Sequence, residues 1–127
     1  MDVKKTILVV EDSVTQVMHL QHLLEQENLA VVLAVDGEMG LAMARSLHPD
    51  LVVLDLKMPR MNGFQVAHAM KQSPETAGIP VILFTSHREP EAQALGENLG
   101  VVEYIPKDAF ADAVLIETLK QMGLIPC

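Results

Sequence analysis

The sequence contains a single cysteine, Cys127, and this scarcity limits both its covalent and its metal chemistry. With one thiol among 127 residues the chain cannot form an intramolecular disulfide, which is typical of proteins from a reducing compartment. The five histidines and the cysteine also show no spacing that suits zinc ligands. We therefore expect the chain to fold without a disulfide and without a zinc site.

Positive charge and long apolar segments are scarce as well. The formal net charge is −8, because 17 Asp and Glu residues outnumber nine Lys and Arg residues. This balance disfavours direct binding to nucleic acid or to anionic lipid. The apolar run from Ile7 to Val10 is too short for a signal-peptide core or a membrane span, and acids follow it at once. We expect a cytoplasmic protein without direct nucleic-acid or membrane contacts.

The size and composition predict one domain. At 127 residues, 50% of them hydrophobic, the chain is large enough to bury a core of its own. No polar or single-residue tract marks a linker or a disordered arm. Residues 1–127 are therefore expected to form a single domain, with no room for an effector domain.

Five apolar runs alternate with segments of helical period. The expected strands cover residues 6–10, 30–34, 51–54, 80–84 and 101–105, and the expected helices cover residues 13–26, 37–47, 64–71, 90–99 and 108–122. Runs without polar alternation predict strands that are covered on both faces, as in parallel sheets. Right-handed crossovers then produce an α/β three-layer sandwich, the flavodoxin-like doubly wound (βα)5 fold, with a parallel five-stranded sheet of order 2-1-3-4-5.

Several helix starts carry capping patterns. Ser13 with Gln16, and Ser86 with Glu89, have the spacing of a capping box, and Asp108 is the expected N-cap of the last helix. Asn62 and Gly63 are expected to shape the turn and the helix start after the third strand.

Polar residues follow four of the predicted strands. Glu11 and Asp12 follow the first strand and Asp55 follows the third, while Thr85 and Lys107 come at the ends of the fourth and fifth. The carboxyl ends of parallel strands share one edge, where such sheets bind their ligands. Because the expected order makes the first and third strands neighbours, Asp12 and Asp55 should lie together.

Converging carboxylates require a cation. Two unit charges about 4 Å apart repel by about 4 kcal/mol at an effective dielectric constant of about 20. Oxygen ligands that stay partly open to water suit Mg²⁺. A metal beside a carboxylate, a hydroxyl and a lysine is the minimum set for phosphoryl transfer to an aspartate. Asp55 would be the nucleophile, and Thr85 and Lys107 would hold the phosphoryl oxygens.

Together these residues resemble the receiver domain of two-component response regulators, and the resemblance covers essentially the whole chain. Four motifs in the family's order carry it: Val9-Val10-Glu11-Asp12-Ser13; Leu54-Asp55-Leu56-Lys57-Met58-Pro59 with Asn62-Gly63; Thr85-Ser86; and Tyr104 three residues before Lys107.

The resemblance implies a site and a switch. It implies that Asp55 accepts a phosphoryl group, and that Mg²⁺ is held by Glu11, Asp12, Asp55 and the backbone carbonyl of Lys57. It also implies that Thr85 and Tyr104 reorient on phosphorylation.

The resemblance also implies partners. A sensor histidine kinase or a phosphotransfer protein would supply the phosphoryl group. The surface of the fourth helix, fifth strand and fifth helix would bind a downstream target protein, or a second copy as a homodimer. The chain would then be a signalling domain of a phosphorelay rather than an enzyme, similar to the single-domain regulators of chemotaxis and twitching motility.

Two departures from the family pattern leave alternatives open. Pro106 precedes Lys107 and Asp108 follows it, whereas the family usually has proline directly after its lysine. Glu11 stands where many members have aspartate, so it reaches the metal either directly or through water. A pseudo-receiver that binds partners without phosphorylation is one alternative. An aspartyl-phosphate phosphohydrolase is another, although its D-x-D motif and substrate cap are not visible.

Overall fold

The computed structural model describes residues 4–86 and 90–126, apart from the side chains of residues 91 and 92. Within these ranges the strands are β1 Thr6–Val10, β2 Ala30–Ala34, β3 Leu51–Leu54, β4 Val81–Thr85 and β5 Glu103–Pro106. The helices are α1 Val14–Glu25, α2 Gly37–Leu47, α3 Gly63–Gln72, α4 Pro90–Asn98 and α5 Ala111–Gln121. The bounds of β1, β2, β3 and α2 agree with the prediction.

The last two strands lie slightly further along the chain than predicted. β4 extends to Thr85, whose carbonyl accepts the backbone N–H of Lys107 at 2.7 Å. β5 begins at Glu103: the N–H of Val101 donates to Gly96 of α4 at 3.2 Å, and the N–H of Val102 is the first to donate to β4, at 2.8 Å to Val81. An apolar run alone does not show where a helix terminus takes over such a donor.

The five strands form one parallel sheet in the order β2-β1-β3-β4-β5, which confirms the predicted topology. β1 and β3 are neighbours, with Val10 opposite Leu54. The N–H of Asp55 still donates to the Val10 carbonyl at 3.0 Å, just past the strand end. The residues that follow β1 and β3 therefore leave the sheet side by side.

Alternate residues of each strand enter two separate hydrophobic layers. Ile7 and Val9 belong to the layer under α1 and α5, whereas Leu8 and Val10 belong to the layer that includes α2 and α3. The helices contribute fully buried residues to these layers: Leu20, Leu24, Leu115 and Leu119 on the first side, and Ala44, Val66, Ala67 and Met70 on the second. Burial of each large aliphatic side chain contributes about 2 kcal/mol, and coverage of both faces explains why the strand sequences do not alternate.

The predicted capping box at Ser13 is only half formed. The Ser13 hydroxyl accepts the Gln16 N–H at 3.5 Å, but the Ser13 N–H donates to Oε1 of Glu11 at 3.2 Å. A complete capping box occurs instead at α3, where Asn62 and Gln65 exchange two bonds of 2.9 Å. The box predicted for Ser86 involves Glu89, which lies outside the described residues.

The prediction that Asp108 is the N-cap of α5 is wrong. The N-cap is Phe110, which makes no side-chain capping bond. The Asp108 carboxylate accepts the N–H of Phe110 at 2.8 Å, and its carbonyl accepts the N–H of Ala111 at 3.2 Å. A short acidic side chain readily bonds the backbone two residues ahead, so Asp108 forms a turn before the helix.

The structure also bears on the expectation about membranes. Across the described ranges, none of the helices combines the length and the apolar character that a bilayer crossing requires.

Candidate functional site

Three acids converge where β1 and β3 end. Glu11, Asp12 and Asp55 each place one carboxylate oxygen within 4.8 Å of the others. The parallel pairing of β1 with β3 brings them together, because both strands end at the same edge of the sheet. Glu11 is buried, Asp55 is partly buried and Asp12 is exposed. The group is therefore a pocket with one closed side and one side open to solvent.

Glu11 forms the closed side of this pocket. It is 2% exposed, its Oε1 accepts the N–H of Ser13 at 3.2 Å, and its Oε2 accepts the ammonium of Lys107 at 2.8 Å. Burial raises the pKa of Glu11, the hydrogen bond from Lys107 opposes that rise, and the charge of Asp55 adds to it. The buried carboxylate is thus balanced by a neighbouring cation.

Lys107 supplies that cation. Its side chain is 15% exposed, and its Nζ lies 2.8 Å from Oε2 of Glu11 and 3.7 Å from Oδ2 of Asp55. The same Nζ lies 5.9 Å from the ring centroid of Phe84, within the range of a cation–π contact. Lys107 therefore reaches the acids although Pro106 precedes it.

The acceptor candidate Asp55 is held from two directions. Its Oδ1 accepts the N–H of Leu56 at 2.8 Å, which leaves Oδ2 on the side of Lys107. A Cβ atom at Gly63 would lie 2.3 Å from the carbonyl oxygen of Asp55, and the N–H of Gly63 donates to Leu56 at 2.9 Å. Gly63 thus permits a close approach of α3 to Asp55, a role that was not predicted, because the sequence assigned this glycine to the turn and the helix start. A glycine directly after a helix-capping asparagine is the pattern that could have indicated such an approach.

Lys57 and Thr85 are the other two residues that the sequence assigned to the site. Lys57 follows Asp55 by two residues, and its side chain is exposed. Thr85 is fully buried as the last residue of β4, whose neighbours in the sheet are β3 and β5. Thr85 is therefore placed between the strand that leads to Asp55 and the strand that leads to Lys107.

Tyr104, the other predicted switch residue, points into the protein. It is 9% exposed, lies opposite Leu83 in the sheet, and belongs to the hydrophobic layer of α2 and α3. Of the residues predicted for the site, the structure brings Glu11, Asp55 and Lys107 into direct proximity. Asp12 lies beside the other two acids. Tyr104 packs in the layer behind them.

The donor set suits a hard divalent cation. The three acids provide oxygen ligands only, and Asp12 and Asp55 are accessible to solvent. Mg²⁺ prefers oxygen ligands, keeps several waters and is commonly bound by one or two carboxylates. The open side of the pocket leaves room for such waters, so the residues present fit Mg²⁺.

Comparison with known proteins agrees with this geometry. The family model of the response regulator receiver domain matches residues 7–120, from within β1 to within α5. Protein PilH of Pseudomonas aeruginosa is 35% identical over 109 residues, which cover 86% of this chain and 90% of PilH. The alkaline phosphatase synthesis transcriptional regulatory protein PhoP of Bacillus subtilis is 36% identical over 103 residues, and the match covers 81% of this chain but only 42% of PhoP.

Solved structures show the same similarity. The chemotaxis protein CheY4 of Vibrio cholerae has a TM-score of 0.85 at 27% identity, and the match covers 94% of this chain and 98% of CheY4. A response regulator receiver domain protein from Methanospirillum hungatei has a TM-score of 0.86 at 26% identity and covers 94% of each chain. The likeness therefore extends over nearly the whole chain in both sequence and fold.

Proposed function

The chain belongs to the response regulator receiver family of two-component systems, and we propose that Asp55 is its phosphoacceptor in a Mg²⁺-dependent reaction. The observation that carries the proposal is the meeting of three carboxylates, with oxygens within 4.8 Å of one another, and an ammonium 3.7 Å from Asp55. A pseudo-receiver, which is not phosphorylated, does not need three acids and a lysine together at the carboxyl edge of its sheet.

The metal would be held by residues from two connections. Asp12, Asp55 and the backbone carbonyl of Lys57 would bind Mg²⁺, and Glu11 would join them directly or through water. When bound, Mg²⁺ supplies positive charge that neutralises the phosphoryl oxygens and the acids. The cluster suits this role because one carboxylate oxygen of each acid lies within 4.8 Å of the others.

Asp55 would carry out the covalent step. A carboxylate oxygen forms the new O–P bond while the P–N bond of a phosphohistidine donor breaks, and the donor imidazole keeps the bonding electron pair. Oδ2 is the better placed oxygen, because Oδ1 already accepts the N–H of Leu56 at 2.8 Å. A sensor histidine kinase or a phosphotransfer protein would be the donor.

Lys107 and Thr85 would contact the phosphoryl group on Asp55. The phosphoryl group adds up to two negative charges, and these attract the Lys107 ammonium in a charge-assisted hydrogen bond. The Thr85 hydroxyl would bind another phosphoryl oxygen. Because Lys107 now contacts Glu11 at 2.8 Å, its movement would pull on β5 and on the start of α5, and Tyr104 of β5 would reorient with them.

The surface that would respond already exposes apolar side chains. Leu95 of α4, Val102 next to β5, and Phe110 and Val114 at the start of α5 are each at least 43% exposed. Large exposed apolar residues near one another are typical of protein contact sites. We infer that this α4-β5-α5 surface binds a downstream target protein or a second copy as a homodimer.

The remaining expectations stay proposals on the same basis. Residues 1–127 would act as one receiver domain, with the family match over residues 7–120 as support. Its chemistry would be that of a signalling domain. The single cysteine fits a cytoplasmic location.

Labelling with acetyl phosphate tests the proposal. The wild-type chain is expected to gain one phosphoryl group in the presence of Mg²⁺, and Asp55→Asn is expected to gain none, because the amide is not a nucleophile. Intact-mass measurement reads out both results. Asp50→Asn is the matched control, since Asp50 caps the Thr6 N–H at 2.8 Å where β1 begins, at the opposite edge of the sheet.

The same assay separates the alternatives. Labelling of Asp55→Asn at the wild-type level would assign the nucleophile to another residue. A wild-type chain that takes no label would be a pseudo-receiver, and repeated turnover of simple phosphate esters would indicate a phosphohydrolase.

A further inference from the structure

The first turn of α2 is in backbone contact with the connection between β3 and α3. Gly37, the first residue of α2, is buried. A Cβ atom at this position would lie 2.3 Å from the carbonyl oxygen of Met61 and 2.6 Å from the Met61 Cβ. Real Cβ atoms do not approach backbone oxygens so closely, and therefore only glycine allows this contact.

The connection has an unusual backbone conformation at the point of contact. Arg60 has φ 72°, in the left-handed region, and the Met61 N–H closes a tight turn onto the Pro59 carbonyl at 2.9 Å. A residue other than glycine costs about 1 kcal/mol in this region. The Arg60 guanidinium also pairs with Glu38 of α2 at 3.0 Å. The turn is thus held in its conformation from the side of α2.

Both ends of the connection are fixed independently of α2. Asp55 is in contact with Gly63, where a Cβ would lie 2.3 Å from the Asp55 carbonyl, and Asn62 is fixed by its reciprocal bonds of 2.9 Å with Gln65. A displacement of Met61 must therefore be absorbed by the residues in between, and Lys57 is one of them.

The helix itself has little freedom to retreat. A Cβ at Gly40 would lie 2.8 Å from both methyl groups of Val10, so α2 also rests closely on β1. Movement of α2 away from the connection between β3 and α3 would disturb the buried contact of Gly40 with Val10, and cavities in a packed core are costly.

We propose that Gly37 is a positioning residue for the metal site. The first turn of α2 holds the turn at residues 59–61, and this fixes the backbone of Lys57 relative to Asp12 and Asp55. The inference rests on the proposed function, because that function assigns the Lys57 carbonyl to the metal.

The test is the affinity of the folded protein for Mg²⁺, measured by isothermal titration calorimetry. Gly37→Ala is expected to weaken binding by about tenfold or more, in line with the usual effect of losing support around metal ligands. Gly78→Ala is the matched control, because a Cβ at Gly78 has nothing within 4 Å, and its affinity should stay within about twofold of the wild type. Asp12→Asn serves as the reference for a damaged site.

Labelling distinguishes positioning from general damage. With acetyl phosphate, Gly37→Ala should half-saturate at a higher Mg²⁺ concentration but reach the wild-type extent at saturating Mg²⁺. A purely structural defect would lower the thermal midpoint in EDTA without moving the half-saturating concentration. Glu38→Gln removes only an exposed ion pair and should shift that concentration in the same direction by about twofold.

A folded Gly37→Ala variant with wild-type Mg²⁺ affinity would overturn the inference. If this variant does not fold, Arg60→Gln decides, because it removes the link to Glu38 and keeps a side chain at φ 72°, so the turn loses support from α2 while its backbone cost remains. Mg²⁺ binding should then weaken severalfold, and unchanged affinity in that variant would be equally decisive against the inference. If the wild type takes label and Gly37→Ala keeps the wild-type Mg²⁺ affinity, this inference fails but the proposed function stands. A wild-type chain that neither binds Mg²⁺ nor takes label would remove the proposed function and this inference with it.

Discussion

The connections that follow β3 and β5 both carry a residue of the site, but they are attached to the protein in different ways. After β3, the segment from Asp55 to Asn62 is enclosed by Gly63 on one side and by Gly37 on the other, and α3 starts with a reciprocal capping box. After β5, the N-cap of α5 is Phe110, which makes no side-chain capping bond and is 72% exposed.

The backbone around Asp55 is therefore more tightly packed than the connection that carries Lys107. Asp55 lies in close contact with the backbone at Gly63, which would suit the fixed geometry that the proposed in-line reaction needs. Lys107 is carried by a connection whose turn is closed by Asp108 and Phe110 within the same segment, and its ammonium contacts the acids themselves. Under the proposed function, a new anion at Asp55 would therefore redirect the Lys107 ammonium more readily than it would move the backbone around Asp55.

The largest effect is expected where the acceptor segment is tightest. Gly63→Ala places a methyl group 2.3 Å from the Asp55 carbonyl oxygen, with backbone on both sides of the contact. Overpacking of this kind costs about 3 kcal/mol. The free energy of unfolding from urea denaturation measures the loss.

Gly78→Ala provides the matched control, since the same substitution there meets nothing within 4 Å. Its free energy of unfolding should change by no more than about 1 kcal/mol. A loss below about 1 kcal/mol for Gly63→Ala would mean that the acceptor segment yields easily, and the contrast between the two connections would fail.

A smaller effect compares the two helix starts directly. Asn62→Ala removes the side-chain bond that the Gln65 N–H makes to Asn62 and keeps only the bond from the backbone N–H of residue 62 to Gln65, which should cost about 1 kcal/mol. Asp108→Ala removes the bond from the Phe110 N–H, which lies in an exposed turn before the helix and not at its N-cap, so we expect a smaller cost. Urea denaturation of both variants under the same conditions tests the order. An equal or larger loss for Asp108→Ala would show that the β5 connection is the more firmly held.

The sequence was informative about the sheet because its strands are continuous apolar runs that end in acids. β1 and β3 therefore have the predicted bounds, and the pairing of these strands follows from the predicted order. The limit of β5 was not predictable in this way. Val101 and Val102 are apolar like the predicted strands, but the N–H of Val101 donates to Gly96 of α4.

Some residues of the site were also predictable from the sequence and others were not. Glu11, Asp55 and Lys107 were predicted from their positions at strand ends, where topology alone brings them together. The roles of Gly37 and Gly63 depend on the distance between two backbones that are remote in sequence or separated by a loop. Local patterns carry no information about such distances. The error at Asp108 has a local cause, because a short acidic side chain can bond the backbone two residues ahead in a turn as well as at a helix N-cap.

The smallest predicted effect concerns the ion pair that Lys107 now makes. Burial raises the pKa of Glu11 above its ordinary value of 4.5, so the native state binds this proton more tightly than the unfolded chain does. The stability that Glu11 contributes is therefore complete below its ordinary pKa and is lost as the pH rises through the native pKa.

Without Mg²⁺, the wild type should gain stability relative to Glu11→Gln as the pH falls from about 7 to about 5. Urea denaturation in EDTA measures this difference, and Glu25→Gln, at an exposed position, controls for the change in net charge. A difference that stays constant or reverses with pH would show that Lys107 compensates fully for the burial of Glu11, and that its ammonium is held more firmly than the rest of its connection.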